Sequence, residues 1–212
     1  MRKMYLSAPL PFVGQKRMLA KEFMKVLEQY PDGTLFVDLF GGSGLLSHIT
    51  KSLKPHSTVI YNDFDNYRFR MKHIPQTNQL LADIREMVGN SVPRHKIIKG
   101  ELRERIFSRI EQEENSTGYV DFITLSSSIL FSMKYKLSVQ DMRKEALYNN
   151  IRKTGYPECT DYLEGLEIVS CDYKEVFNRY KDIPGVVFLV DPPYLSTDVG
   201  TYNMYWNMAD YL

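Results

Sequence analysis

A glycine-rich turn between two short apolar runs constrains the fold of this chain more than any other feature. The run Thr34–Phe40 is almost continuously apolar, which is typical of a strand buried on both faces of a parallel sheet. Gly41-Gly42-Ser43-Gly44 follows, residues 45–53 have helical periodicity, and a second apolar run ends at Asp63. Strand, glycine turn, helix and acid-ended strand predict the first half of a nucleotide-binding α/β sheet.

The remaining periodicity predicts that a helical insertion interrupts this sheet. Further strands are predicted at 166–170 and 186–191, and residues 66–163 between the two halves are mostly helical in period, with helices over 96–114 and 119–135. An amphipathic helix is predicted over 15–30, with an apolar stripe of Leu19, Phe23, Val26, Leu27 and Tyr30. We therefore predict an α/β domain formed by 1–65 and 164–212, with a separate helical domain at 66–163.

Composition excludes several classes of protein. No stretch of about 18 apolar residues and no apolar signal segment is present, so a cytoplasmic protein that contacts no membrane is predicted. Cys159 and Cys171 lack metal-site spacing and are expected to be reduced thiols. Residues 66–158 hold sixteen Lys/Arg against eleven Asp/Glu, net +5, whereas the rest of the chain has net −4. The insertion is therefore the better candidate for binding nucleic-acid phosphates, with a solvated helix surface as the alternative.

The segment Asp191-Pro192-Pro193-Tyr194 follows an apolar strand and carries the most specific chemistry. Open α/β sheets bind ligands at the carboxyl ends of their strands. Prolines have no N–H donor, so the segment presents carbonyl and carboxylate acceptors. Such acceptors would hold both hydrogens of an amine attached to an aromatic ring and favour a tetrahedral nitrogen with an available lone pair. Tyr194 offers a flat face on which a base could stack. The alternative is a structural turn that contains a strand-end acid.

The glycine turn and Asp63 each allow two interpretations. Glycines let the backbone approach a ligand closely, although the spacing is neither that of a dinucleotide motif nor that of a phosphate loop. Asp63, at the end of the second strand, is placed to bind ribose hydroxyls, or to cap a helix over 64–72.

In this order, the motifs resemble the Dam-type family of DNA adenine N6-methyltransferases. Pro11–Arg17 resembles its N-terminal motif, with Phe12 where tryptophan is usual, Gln15 where glycine is usual, and Lys16 matching. The glycine motif, Asn62-Asp63, the segment Ile168–Tyr173 and the catalytic motif also match, with Asp38 where glutamate is common. The resemblance implies a Rossmann-like methyltransferase sheet with helices on both faces. It implies a cofactor site formed by Phe12, Lys16, Asp38, Phe40, Gly41, Gly42, Gly44, Asp63, Asp172, Tyr173 and Asp191.

The resemblance places a target-recognition domain in the insertion. Donors and aromatics suited to phosphates and base edges are Lys134, Tyr135, Lys136, Arg143, Lys144, Asn149 and Arg152. For each of them a solvated helix surface is an equal alternative. The asparagine- and proline-rich stretch of GATC-specific members is absent, which argues against a GATC target.

The predicted activity is therefore methyl transfer from S-adenosylmethionine to N6 of a flipped adenine in double-stranded DNA, giving S-adenosylhomocysteine, with no metal. Cytosine N4, an RNA adenine and a glutamine amide are alternative acceptors. The sequence predicts that the chain ends at Leu212 within a helix, where family members continue with further strands. A truncated homologue that binds cofactor and DNA with impaired catalysis is thus a second hypothesis. The protein is expected to be a monomer or weak dimer, and a cognate restriction enzyme is a candidate partner.

Overall fold

The structure, a computed structural model, describes residues 3–14, 16–131 and 134–192. Two units divide the chain. Unit 1 comprises the residues up to Phe69 together with those from Cys159 onward, and unit 2 comprises Arg70–Glu158. These divisions lie close to the boundaries drawn from the sequence at 65/66 and 163/164. The functions assigned to the two segments stay predictions.

Unit 1 is built on a sheet of four parallel strands. Val37 in the first strand pairs with Ile60 on one side and with Phe188 on the other. Because the strands are parallel, their carboxyl ends lie at one edge, and the segments that follow them begin there. The sheet has the order β5–β2–β1–β6, with β1 at Phe36–Asp38, β2 at Val59–Asn62, β5 at Glu167–Val169 and β6 at Val187–Leu189.

Helices cover both faces of this sheet, as predicted. Successive strand residues point to opposite faces, so Phe36 and Val37 belong to different apolar clusters. Helices α1 (Ala20–Leu27) and α2 (Leu45–Leu53) pack on the face that holds Phe36, and α8 (Tyr173–Tyr180) packs on the other. The predicted α/β fold class is confirmed.

Unit 2 is mainly helical and contains a two-stranded antiparallel sheet. A buried ion pair lies inside it, because Arg70 Nε donates to Asp121 Oδ1 over 3.1 Å. Within the described ranges, no helix is long and apolar enough to cross a membrane. The elements are α4 (Ile74–Val88), β3 (Ile97–Ile98), α5 (Gly100–Thr117), α6 (Phe122–Ile129), α7 (Val139–Arg143) and β4 (Leu147–Tyr148), while α3 (Tyr67–Lys72) runs across the division between the units.

The predicted bounds are right for α2 and too wide for two other helices. The predicted helix over 15–30 spans only Ala20–Leu27, and Leu19 and Val26 of its expected apolar stripe are 54% and 47% exposed. The predicted helix over 119–135 is the eight-residue α6. Asp121 starts α6 by accepting from the Thr124 N–H, and the chain turns extended at Leu130.

Candidate active site

The predicted catalytic carboxylate forms an ion pair with the predicted N-terminal motif. Lys16 Nζ lies 2.9 Å from Asp191 Oδ1, and the two side chains are 15% and 25% exposed. Burial raises the pKa of Asp191, and the Lys16 ammonium opposes that rise. Pro192, directly after Asp191, is half-buried; Pro193 and Tyr194 of the catalytic motif lie outside the described residues.

Asp38, the last residue of β1, is a second carboxylate at this edge and is fully buried. Ser47 Oγ donates to its Oδ2 over 2.6 Å, while Oδ1 has no hydrogen-bond partner among the described residues. Burial, opposed by the Ser47 hydrogen bond and assisted by the nearby charge of Asp191, raises the pKa of Asp38 to about 7. A buried carboxylate oxygen without a donor is suited to a cationic or N–H-bearing ligand.

The glycine turn is built around Tyr61, which the sequence pattern did not single out. A Cβ on Gly41 would lie 2.3 Å from the Tyr61 ring, so no other residue fits there without a shift. The Tyr61 hydroxyl lies 2.8 Å from the Gly42 carbonyl oxygen and 3.0 Å from Asp63 Oδ1. Gly42 and Gly44 have φ of 50° and 72°, which favour glycine, and Gly44 precedes the first turn of α2.

Asp63 is oriented toward the start of α3. Its Oδ1 accepts from the Tyr67 N–H over 2.6 Å and its Oδ2 accepts from the Arg68 N–H over 3.0 Å. The residue is 4% exposed, and burial raises its pKa against the effect of these N–H donors. Of the two interpretations of Asp63, the described geometry shows helix capping; ribose binding stays a prediction.

Asn62 connects the ends of three strands, and the sequence pattern gave it no role of its own. Its Nδ2 donates to the carbonyl oxygens of Leu39 and Cys171 over 3.0 and 2.9 Å, and the Cys171 N–H donates to its Oδ1 over 3.1 Å. Leu39 precedes the glycine turn and Cys171 precedes Asp172. One buried amide therefore fixes the relative positions of three predicted cofactor-binding segments.

The aromatic candidates pack in pairs beside this edge. Phe40 lies 4.9 Å, ring centre to ring centre, from Tyr173, which is buried at the start of α8. Phe12 lies edge-to-face on Tyr67, and its ring is the nearest group to Gly42. The Asp172 carboxylate is exposed and caps α8 by accepting from the Lys174 N–H. The described ranges contain no cluster of three His, Cys, Asp or Glu residues that could hold a metal ion.

The DNA-binding candidates of unit 2 already have partners within the protein. Tyr135 is half-buried. Carboxylates, backbone carbonyls and an aromatic ring engage the other six. Lys134 and Lys136 pair with Glu145, Arg143 pairs with Glu104 and Glu111, Lys144 pairs with Asp141, Asn149 donates to the Val92 carbonyl, and Arg152 lies 4.2 Å over the Tyr156 ring.

Comparison with known proteins agrees with this geometry. The family of D12 class N6 adenine-specific DNA methyltransferases matches residues 12–211, a range that contains the whole sheet and the segments after each strand. A protein of Haemophilus influenzae named "Putative methyltransferase" is 39% identical over 217 aligned positions, which cover 100% of this chain and 72% of the relative. The resemblance to the Dam-type family is confirmed, and the chain belongs to the family of D12 class N6 adenine-specific DNA methyltransferases.

Proposed function

We propose that this protein transfers a methyl group from S-adenosylmethionine to N6 of an adenine in double-stranded DNA, with Asp191 as the catalytic carboxylate. The observation that carries the proposal is the half-buried Asp191 just after β6, held by Lys16 of a second motif. Neither residue is needed for the sheet, since β6 pairs with β1 through Val187–Leu189. Family membership supplies the substrate class.

The residues at the sheet edge fit the cofactor in charge and shape. When bound, S-adenosylmethionine supplies a methyl group attached to a positively charged sulfur. Asp38 Oδ1, buried and without a described donor, would accept from the ammonium group of its amino-acid portion. The turn Gly41–Gly44 would let the ligand approach the backbone, and Phe40 with Tyr173 would flank its adenine. Asp63 Oδ2 accepts one described hydrogen bond, from the Arg68 N–H, so it would keep acceptor capacity for a ribose hydroxyl.

Asp191 would act on the adenine amine. The exocyclic nitrogen is a poor nucleophile because its lone pair is delocalised into the ring. An Asp191 oxygen and the Pro192 carbonyl would each accept one N–H and favour a tetrahedral nitrogen. In the transfer an N–C bond would form as the S–C bond of the donor breaks, and the nitrogen would give up one proton. The Asp191 carboxylate would accept that proton, and the rise in its pKa caused by burial supports this role.

Lys16 controls which acceptor is available to the amine. It occupies Oδ1 of Asp191, so the amine would bind Oδ2 or displace the ammonium. Flipping the adenine out of the duplex costs a few kcal/mol, which stacking and the new hydrogen bonds offset. Stacking is assigned to Tyr194, following the motif.

Replacing Asp191 tests the proposal. We expect Asp191→Ala to lower methyl transfer at saturating cofactor by about a thousandfold or more, and Asp191→Asn, which keeps one acceptor, to fall between this variant and the wild type. Cofactor affinity by calorimetry should change much less, because the loss lies in the chemical step. Asp182→Ala, an exposed acid of the same unit, is the control and should match the wild type. Near-wild-type transfer by Asp191→Ala would refute the assignment.

Product analysis separates the alternative acceptors. DNA and RNA are incubated with labelled cofactor, digested to nucleosides and analysed by mass spectrometry. N6-methyldeoxyadenosine is the expected product. N4-methyldeoxycytidine or N6-methyladenosine would move the activity to another substrate. Cofactor binding with no methylated nucleoside would support the impaired homologue.

A further inference from the structure

The positive charge of the insertion is confined to one short stretch of structure. We call residues 94–99 and 149–153 the basic ribbon. It holds five cations and no Asp or Glu, whereas the rest of 66–158 holds eleven Lys/Arg and eleven Asp/Glu. The net +5 of the insertion therefore lies entirely in the basic ribbon. Its cations are Arg94, Lys96, Lys99, Arg152 and Lys153.

Backbone hydrogen bonds hold the two segments of the basic ribbon together. The antiparallel pairing of β3 with β4 is followed by two further backbone hydrogen bonds between the segments. The His95 N–H donates to the Asn149 carbonyl and the Asn149 N–H donates to the Lys96 carbonyl, both over 2.9 Å. The Arg94 guanidinium donates to the Ile151 carbonyl over 2.8 Å. Ile151 is buried, so the ribbon is anchored in the apolar interior of unit 2. All five cations are nonetheless exposed.

By contrast, ion pairs neutralise a second group of cations in unit 2. We call Lys134, Lys136, Arg143 and Lys144, together with the acids that pair with them, the paired surface. Each of these cations lies within 3.1 Å of a carboxylate oxygen. None of the five ribbon cations forms an ion pair with a described acid. A phosphate could bind the ribbon cations without displacing a carboxylate, whereas on the paired surface it would compete with one.

We propose that the basic ribbon is the surface through which unit 2 binds the phosphates of its DNA substrate. This inference rests on the proposed function. Affinity for DNA comes mainly from cations that replace condensed counterions, and the basic ribbon concentrates all of the excess cations on a fixed backbone. Its asparagines are engaged internally, since Asn149 donates to Val92 and Asn150 bonds to His95 and Leu130. Base reading by these two asparagines would break those internal hydrogen bonds, so we assign the ribbon to the phosphates of the DNA backbone.

Two triple variants with the same change of charge test this assignment. The ribbon variant combines Lys96→Gln, Lys99→Gln and Lys153→Gln, and the control combines Lys134→Gln, Lys136→Gln and Lys144→Gln. Duplex DNA affinity is measured by fluorescence anisotropy over a salt series, and melting temperatures check that both variants fold. We expect the ribbon variant to bind at least about tenfold more weakly. We expect the slope of log K against log salt to fall by roughly 0.9 for each phosphate that the variant no longer neutralises. The control should keep the wild-type slope.

The outcomes distinguish this inference from the proposed function. A ribbon variant with wild-type affinity and slope, or a control that weakens as much, would overturn the inference while methylation of DNA by the wild type still supports the function. Ribbon-dependent DNA binding without methylation of any DNA would refute the function and leave the inference standing. Tighter binding of single-stranded RNA than of duplex DNA would also overturn the inference. If the melting temperature of the ribbon variant is much lower than that of the wild type, the double variant Lys99→Gln with Lys153→Gln replaces it. For the double variant, the slope of log K against log salt should fall by the amount that corresponds to about two phosphates.

Discussion

The acids of unit 1 and those of unit 2 differ in what surrounds them. At the sheet edge of unit 1, burial raises the pKa of Asp38 and Asp191. On the paired surface of unit 2, hydrogen bonds from Lys134 lower the pKa of Glu145. The sheet edge leaves Asp38 Oδ1 as a buried acceptor that a ligand can satisfy, whereas the paired surface satisfies its charges within the protein. The direction of the pKa shift, together with the hydrogen-bond partners, therefore separates Asp38 of the sheet edge from Glu145 of the paired surface.

Asparagines in the two units make the same local interaction at different depths. Asn62 exchanges two hydrogen bonds with the backbone of Cys171, and Asn78 exchanges two with the backbone of Tyr156. Asn62 is buried and also binds Leu39, whereas Asn78 is half-buried. Matched substitutions at these positions therefore compare the sheet edge with the interior of unit 2.

The largest effect is expected from Asn62→Asp. A buried carboxylate would face two carbonyl oxygens, so we expect a loss of about 3 kcal/mol or more in the free energy of unfolding. Asn78→Asp should cost about 1 kcal/mol, because water can reach the half-buried site. Urea denaturation measures both, and calorimetry should show weaker cofactor binding only for the Asn62 variant at a temperature where it stays folded. Equal losses in the free energy of unfolding for the two variants would contradict the expected difference between the sheet edge and the interior of unit 2.

A smaller loss is expected from Gly41→Ala. Its Cβ would lie 2.3 Å from the Tyr61 ring and 2.8 Å from the Asn62 carbonyl oxygen, and Tyr61 is fully buried. We expect destabilisation of about 2–3 kcal/mol, the range of overpacked interiors. Gly155→Ala is the counterpart in unit 2, where the Cβ would meet the Asn78 side-chain amide at 2.9 Å. That side chain can shift, so about 1 kcal/mol is expected. Thermal melting of the two variants checks this order of stability losses. A larger loss for Gly155→Ala than for Gly41→Ala would contradict it.

A pH dependence that originates in Asp38 is expected to be the smallest of these effects when it is counted per pH unit. Its pKa in the folded protein, about 7, exceeds the ordinary value of 3.8, so the folded state binds more protons between these values. Stability from this group is therefore present below pH 3.8 and is lost as pH rises to about 7, by up to about 1.4 kcal/mol per pH unit. Asp38→Asn should remove this slope from unfolding curves measured between about pH 5 and 7.

Glu145→Gln is the matched control for the pH series. The pKa of Glu145 is lowered, so its contribution is present above its ordinary pKa and lost only as pH falls below it. Its replacement should leave the slope between about pH 5 and 7 unchanged. A wild-type slope in the Asp38 variant would show that other groups cause the dependence.

Several parts of the fold could be predicted because the signal is local. The bounds of α2 follow from the glycine turn before it and the helical periodicity within it, and Leu45–Leu53 is confirmed. Parallel strands place Asp38, Asp63 and Asp191 at one edge once the strands are recognised. The bounds of α6 were predicted wrongly, because the helix expected over 119–135 begins only after its capping residue Asp121 and ends at Ile129.

Other features could not be predicted because their partners are distant in the sequence. The Asn62 amide binds a backbone 109 residues away, and the Tyr61 ring occupies the space beside a glycine twenty positions earlier. The pairing of Arg143 with Glu104 joins two helices across 39 positions of the chain. Charge counts show how much positive charge the insertion has, but not which cations are neutralised.

By itself, the sequence determined the α/β class, the order of the motifs and the family, because these depend on short segments with their own periodicity and chemistry. Only the tertiary structure decided which contacts the side chains of those segments make. It paired Lys16 with Asp191, left Asp38 Oδ1 without a described donor, and directed Asp63 toward α3. It also neutralised the paired surface and left the basic ribbon exposed. The physical reason is that burial and ion pairing depend on which distant residues meet, and only the folded chain brings them together.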